Sequence, residues 1–393
     1  MQSEIERAFL KLDAWCRAHA YTGHDPFDAL NSKLFRAFPV VRSSRIARLV
    51  WTQGFKRSPF NLRGLARVPE ERNPKGTALF ALAALSEFRR TRAKDAEEKA
   101  RRLLKELLAV RLSSKSGAAC WGYNFDWQGR AFFALKGTPT IVPTAFAARA
   151  LLEAAQIFGA EDYLREARSS CDFILRDLNR SEEGGDEVCW SYSPLDTTRV
   201  FNASLLAAET LASVGALTGE EELIEWAIRG ARYVARRLRA EGHWPYGADS
   251  FQSWSDNFHT AFILTSLARI MCANQFARAE FEPVLIKGYE FWREQFFMAD
   301  GWPKYYPNSL YPADAHSAGA ALAALAELKD FDNQALQLAE RVARWAIENL
   351  QDKRGFFYYQ RRRFYTVRTP YMRWSEAWML YGLSRMLEVS SKQ

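Results

Sequence analysis

Two apolar patterns alternate along the chain. Segments near 75–92, 143–157, 200–215, 256–272, 314–328 and 371–388 are apolar nearly all round, as in Ala318-Gly-Ala-Ala-Leu-Ala-Ala-Leu-Ala326, the mark of a helix surrounded by protein. Segments near 43–57, 95–112, 160–179, 219–239, 276–297 and 331–350 are amphipathic and charge-laced, as in Glu98-Lys99-Ala-Arg101-Arg102-Leu-Leu-Lys105, with apolar residues at helical spacing. A leading helix near 3–20 and a turn-rich loop, Gly23-His24-Asp25-Pro26-Phe27-Asp28, come first. Six buried helices paired with six exposed ones predict an all-α fold, an (α/α)6 toroid in which an outer ring wraps an inner one. An open solenoid uses similar pairs but normally has shorter repeats and less aromatic loops. No Pro/Gly/Ser-rich linker interrupts the repeats. Residues 1–393 therefore read as one domain, with 1–42 as an N-terminal helix and loop extension. Strands are expected only in short loop hairpins, such as one over 355–365.

Aromatic loops precede the buried helices: Trp121-Gly-Tyr123, Trp190-Ser-Tyr192, Trp244-Pro-Tyr246, Trp302-Pro-Lys304-Tyr305-Tyr306 and Phe357-Tyr358-Tyr359, recurring every ~55–70 residues. Inner helices of a toroid all run the same way, so these loops and the helix N-termini should meet at one mouth. Such N-termini carry partial positive charge and unpaired N–H groups, which suits carboxylate, sulfate or phosphate. Aromatic residues make up 14% of the chain, with 13 Trp and 15 Tyr. The Phe residues are expected in the core. Trp and Tyr carry polar handles that make complete burial awkward, so in these loops they are expected to face a ligand.

Charge changes the picture only slightly. The net charge of +8 gives a mild preference for anionic partners. Basic residues are spread along the exposed helices, where solvated surface accounts for them, and only Arg361-Arg362-Arg363 forms a tight run. No nucleic-acid motif is present. The five Cys are scattered without a CxxC pair, which argues against a disulfide framework or zinc ribbon and suits a reducing compartment. The N-terminus has no apolar signal core and no stretch reads as a membrane span. A cytoplasmic protein is expected.

Three of the five His fall in the expected mouth: His243 beside Trp244, His259 in Asp256-Asn257-Phe-His259, and His316 in Asp314-Ala-His316. Imidazole titrates near neutrality and can give or take a proton in a reaction. Asp256 and Asp314 start two buried helices, where helix capping competes with catalysis as their role. The spacing fits no two-His metal motif, so neither metal nor cofactor is expected. Tyr371, Arg373, Trp374 and Glu376 open the last buried helix. Buried Arg and Glu need partners; Arg373 either clasps a substrate carboxylate or pairs within the protein. Asp126, Asp300 and Lys304 complete the rim, with Asn61-Leu-Arg63 and Asn73-Pro-Lys75 as the first repeat's share. Aromatic faces beside carboxylates, Asn and His are what sugar rings require.

Gly23-His-Asp-Pro-Phe-Asp28, Asn73-Pro-Lys-Gly76, Asp256-Asn-Phe-His-Thr260, Pro303-Lys-Tyr-Tyr306, Tyr311-Pro-Ala-Asp-Ala-His316 and Pro370-Tyr-Met-Arg-Trp374 together resemble an (α/α)-toroid family of surface-polysaccharide biosynthesis clusters. The resemblance spans nearly the whole chain. It implies a role in glycan assembly and an association with membrane glycan-assembly enzymes, but no defined reaction. More distantly, the toroid resembles glucuronyl C5-epimerases, N-acylglucosamine 2-epimerases and unsaturated-uronyl hydrolases, none of whose motifs maps here residue by residue. The terpenoid-cyclase-like toroids also share the fold, but their acidic motifs and the Cys-centred zinc set of prenyltransferases are missing.

The expected function is proton-transfer chemistry, epimerisation or β-elimination, on an acidic or amino sugar of an anionic oligosaccharide or polysaccharide. His259 or His316, with Tyr305, would move the proton and Arg373 would stabilise the anion. Hydrolysis by two carboxylates from Asp126, Asp256, Asp314 and Glu376 is a second reading. A non-catalytic glycan-binding component is a third.

Overall fold

The computed structural model describes residues 2–129 and 132–391. Its helices are α1 (Gln2–Ala18), the short α2 (Lys33–Arg36) and α3 (Pro39–Ser43), α4 (Arg45–Arg57), α5 (Pro74–Thr91), α6 (Lys94–Ala109), α7 (Ile141–Phe158), α8 (Glu161–Asp172), α9 (Phe201–Thr218), α10 (Glu221–Ala235), α11 (Asn257–Ala273), α12 (Phe276–Phe296), α13 (Ala315–Glu327), α14 (Ala335–Leu350) and α15 (Ala377–Ser390). A π-helical turn, Met372–Glu376, leads into α15.

The nearly uniformly apolar helices α5, α7, α9, α11, α13 and α15 each pack on two others of the set, and α15 returns to α5. This is the closed inner ring. The amphipathic α6, α8, α10, α12 and α14 back them from outside. Among the described residues, the sixth outer helix is α1, which packs on α15 and α14. This corrects one expectation. The segment 43–57 does form a helix, α4, but it lies with the 3-10 turn at Asp28–Asn31 and a loop hairpin, outside the ring. Amphipathicity reports that a helix has a dry side, not what lies against it. Helix α7 is long and apolar enough to cross a membrane, yet it is an inner-ring helix enclosed by its neighbours.

Loops leading into the inner helices are long and carry the hairpins; those leading out are short. Antiparallel pairs join 112–113 to 119–120, 127–128 to 133–134 and 180–183 to 187–190, and a three-stranded patch joins 313–314, 360–361 and 366–367. All the long loops therefore sit at the inner-helix N-terminal end.

At the opposite end the ring is closed by charge. Arg89 of α5 bonds Glu153 of α7 (2.8 Å) and Glu388 of α15 (2.9 Å). Glu209 of α9 takes Arg149 of α7 (2.6 Å) and Arg269 of α11 (3.1 Å). Glu327 of α13 takes Arg269 (3.0 Å) and Arg385 of α15 (3.3 Å). Every neighbouring pair of inner helices is thus linked.

Candidate functional site

The first turn of α11 builds a carboxylate–imidazole pair. Asp256 is the N-cap: its Oδ1 accepts the backbone N–H of His259 at 3.0 Å, one of the donors a helix start leaves unpaired. Its Oδ2 lies 2.7 Å from His259 Nδ1 and also accepts the Trp254 indole N–H at 3.2 Å. An ionised carboxylate only accepts, so Nδ1 carries the proton and Nε2 is left as the basic nitrogen. His259 lines a cavity of about 150 Å³ enclosed by the mouth.

His316 lines the same cavity from the first turn of α13, in a different environment. The ring is buried, and neither nitrogen has a hydrogen-bond partner. It is packed by Phe258 (centroids 4.4 Å apart), Trp374 (4.2 Å) and Trp378 (4.9 Å). Phe258 also touches His259, at 4.1 Å, so both imidazoles pack on one phenyl ring. Burial, then the charges of Lys75 and Arg373, hold His316 well below its ordinary range. It is neutral at neutral pH.

Three cations border this cavity: Lys56, Lys75 and Arg373. No carboxylate lines it among the described residues. Arg373 is gripped by Asp25, Nε to Oδ2 at 2.6 Å and Nη2 to Oδ1 at 2.8 Å. Asp28 takes Arg63 Nε at 2.6 Å and the Asp25 backbone N–H at 2.8 Å, and Arg63 also donates to Tyr371 Oη at 2.8 Å. The chemistry of Gly23–Asp28 is therefore to anchor two buried guanidinium groups. Lys75, at the second position of α5, has no such partner among the described residues. Its Nζ stands 4.6 Å from the Phe146 centroid, 5.1 Å from Trp378 and 5.2 Å from Phe262. Burial, then Arg373, push its pKa well down, with Asp25 opposing. Lys56 reaches in from α4 over Phe27 (4.3 Å) and Trp374 (5.5 Å), and burial brings it down to about 8. Asn202, at the start of α9, adds a buried Oδ1 without a partner.

The tyrosines of the aromatic loops do reach the cavity. Tyr123, Tyr192, Tyr246 and Tyr305 line it, and the Tyr123 and Tyr192 hydroxyls bond at 3.0 Å. Burial, then Asp256 and Asp314, push Tyr305 well above the ordinary phenol range, so it serves as a hydroxyl donor rather than a base.

The tryptophans of the same loops turn the other way. Trp121 and Trp244 are buried and donate their indole N–H to Leu107 and Val234 carbonyls at 2.9 Å. Trp190 and Trp244 lie so close over Gly230 and Gly288 of the outer ring that a Cβ there would sit 2.6 and 2.3 Å from the indoles. These residues wedge inner against outer helices. Trp302 bonds the Leu310 carbonyl and packs on Trp345, away from the cavity. Trp374, in the π-helical turn before α15, does face the site, joined there by Trp127, Phe27, Phe125 and Phe262, which were not among the expected site residues.

Other expected site residues have structural partners instead. Asp314 caps α13 through the Ser317 N–H (2.8 Å) and accepts from Trp374 Nε1 (3.4 Å). Glu376 is fully buried, accepts the Phe357 N–H at 2.8 Å, and is pushed by burial well above the ordinary carboxylate range; it lies outside the cavity lining. Asp126 binds Arg36 and the Lys136 N–H. His243 bonds Ser255, Asn257 pairs with Trp292 and the Lys304 carbonyl, and Lys304 Nζ reaches the Pro307 carbonyl. Tyr306 meets Tyr305 edge-on at the surface, and Tyr358 bonds Asp352. Among the described residues, no three His, Cys, Asp or Glu side chains are grouped to hold a metal ion.

Solved structures locate this architecture. Over 83% of this chain and 90% of the other, it matches the cellobiose 2-epimerase of Bacillus thermoamylovorans B4167 with a TM-score of 0.63 at 12% identity. The shared fold is the (α/α)6 toroid. A D-mannose isomerase matches at 0.60 and 14% identity over 82% and 88% of the two chains. An unsaturated glucuronyl hydrolase specific for heparin matches at 0.58 and 13% identity over the same shares. No family model and no curated protein matches the sequence.

Proposed function

We propose that the protein is a carbohydrate-active enzyme that moves a proton at a sugar carbon beside a carbonyl or carboxyl group, as an epimerase or lyase acting on an acidic sugar. The observation that carries this reading is the Asp256–His259 pair at 2.7 Å, with the neutral His316 packed on the same Phe258 ring. His259 Nε2 takes the proton, and the Asp256 carboxylate stabilises the imidazolium that results. For elimination His259 alone suffices; for epimerisation the neutral His316 takes the proton on the opposite side of the sugar ring and the His259 imidazolium delivers one. Lys75 and Arg373 stabilise the negative charge that develops on the sugar oxygen. The enclosed aromatic walls exclude water and strengthen each of these interactions.

The size of the cavity supports one sugar ring at a time. About 150 Å³ is the volume of a cavity known to hold benzene, so a chain end or a single residue fits better than the middle of a polymer. Three cations with one carboxylate behind them favour an anionic ring. The similarity in fold to glycoside hydrolases keeps hydrolysis as the second reading, but the site favours proton transfer, because Asp314, Glu376 and Asp126 have other partners and Asp256 faces His259. The similarity in fold to sugar epimerases and isomerases supports carbohydrate as the substrate class, and the motif resemblance supports a place in surface-polysaccharide assembly. The test is incubation in heavy water with uronate and amino-sugar oligosaccharides. Deuterium at one sugar carbon is expected; neither exchange nor turnover across the panel would overturn the reading.

A further inference from the structure

Residues 32–69 contain nine Lys and Arg and no Asp or Glu; Arg63 is buried against Asp28, Arg36 bonds Asp126 and Lys56 lines the cavity, which leaves six basic residues for the outer face of the segment. It is also the most apolar part of the surface. Nine of the 22 exposed large hydrophobic side chains among the described residues lie between Leu34 and Leu65. Val40, Ile46, Val50, Phe60 and Leu65 are each 66–84% exposed. Helix α3 buries none of its residues, and α4 buries only Thr52 and Phe55. The small core beneath them, Ala29, Phe55, Ala66 and Val68, is separate from that of the toroid. A second element joins the patch: Tyr365 Oη donates to the Arg57 carbonyl at 3.0 Å, bringing Arg361-Arg362-Arg363 and the 85% exposed Phe364 alongside.

We infer that this lobe docks on an anionic lipid bilayer. Contiguous apolar side chains of this extent mark an interaction surface. Basic side chains interleaved with them match the chemistry of a bilayer interface, where apolar groups sink among the acyl chains and guanidinium groups stay with the phosphates. Charge complementarity selects the anionic surface, since the segment offers no acid to answer a basic partner. The lobe also borders the mouth, because Lys56 of α4 lines the cavity. Docking therefore presents the cavity toward glycans held at the membrane. The inference does not rest on the proposed reaction, because binding is measured without turnover.

The experiment is sedimentation of the full chain with vesicles of phosphatidylcholine alone or with about one-third phosphatidylglycerol. Binding to the anionic vesicles alone is expected, weakening with salt. Val40→Asp/Ile46→Asp should abolish it, and Phe364→Asp, on the separate hairpin, should weaken it with the lobe untouched. Arg42→Ala should lower affinity about fivefold, the effect of one basic residue near an anionic surface. Circular dichroism checks that each variant is folded. Absence of binding to the anionic vesicles, equal binding to neutral ones, or undiminished binding by folded Val40→Asp/Ile46→Asp and Phe364→Asp would overturn the inference. So would a dimer that Val40→Asp/Ile46→Asp disperses, which would make a second copy the occupant.

Discussion

His259 and His316 are the same residue with opposite surroundings, and the difference sets what each contributes. His259 has a carboxylate behind it, so protonating Nε2 gives a paired imidazolium; His316 has aromatic rings and neighbouring cations, so it resists a proton. Replacing either by Ala should lower kcat by roughly 10²–10⁴-fold with the fold intact; both variants turning over at near-wild-type rates would remove the assignment. Asp256→Asn is the sharper test. Asn also caps helices, so stability should hold while kcat falls, because the imidazolium loses its counter-charge. The lysines give a pH signature. Lys56 loses its proton at about 8 and Lys75 also below the ordinary lysine range. Positive charge at the site is therefore full at low pH and drains as pH rises through about 8. The kcat/KM for an acidic sugar should fall over that interval, and Lys75→Met should raise KM for the acidic sugar far more than for its carboxyl-reduced analogue. Equal effects on both would show that Lys75 does not contact the anion.

At the scale of elements, one repeated phrase performs two jobs. In Trp-x-Tyr the Trp wedges inner to outer helix and the Tyr enters the mouth. Both are aromatic, both sit in the same loop, and composition does not separate them. What does is the outer-ring glycine that seats the indole, Gly230 or Gly288, some 40 residues later in sequence. The inner helices were legible because all-round apolarity has a single physical cause. Helix α4 was misplaced because a dry stripe on a helix fits a ring, a lobe or a membrane equally. Lys75 is legible as part of the rim, in Asn73-Pro-Lys75 at the head of an apolar helix, but its aromatic surroundings come from helices far along the chain. Asp25 is not legible, since its partner Arg373 lies 348 residues away. Glu376 belongs to this scale as well, as the clamp between the π-turn and the loop at Phe357. Its folded pKa lies well above the ordinary 4.5. Between those values the unfolded chain has released the proton and the native state has not, so stability falls as pH rises through that window. Glu376→Gln keeps the acceptor without the charge. Urea unfolding should show it matching wild type near pH 4 and exceeding it near pH 8. A loss at both would mean the buried group is ionised.

Across the whole molecule, the two ends of the ring are built on opposite terms. At the mouth, cations stand with one carboxylate partner or none and wait for a ligand's charge. At the far end, the inner helices bring partial negative charge at their C-termini, and Arg89, Arg149, Arg269 and Arg385 answer it while Glu153, Glu209, Glu327 and Glu388 link each helix to the next. Burial works to raise the Glu209 pKa, but Arg149 and Arg269 outweigh it and keep the carboxylate ionised. This pairing explains why a closed ring is preferred to an open stack: an open end would leave one buried charge without its partner. Glu209 is the critical member because it bridges three helices and also accepts the Ser266 hydroxyl at 2.8 Å. Glu209→Ala leaves two guanidinium groups buried and under-paired, which should cost about 3–5 kcal/mol. Arg165→Ala, removing an exposed intrahelical pair with Asp162, should change stability by no more than about 0.5 kcal/mol. Both are read from urea midpoints at constant slope. If the two variants unfold alike, the ion-pair ring does not hold the toroid closed, and closure rests on the apolar packing of α15 against α5 alone.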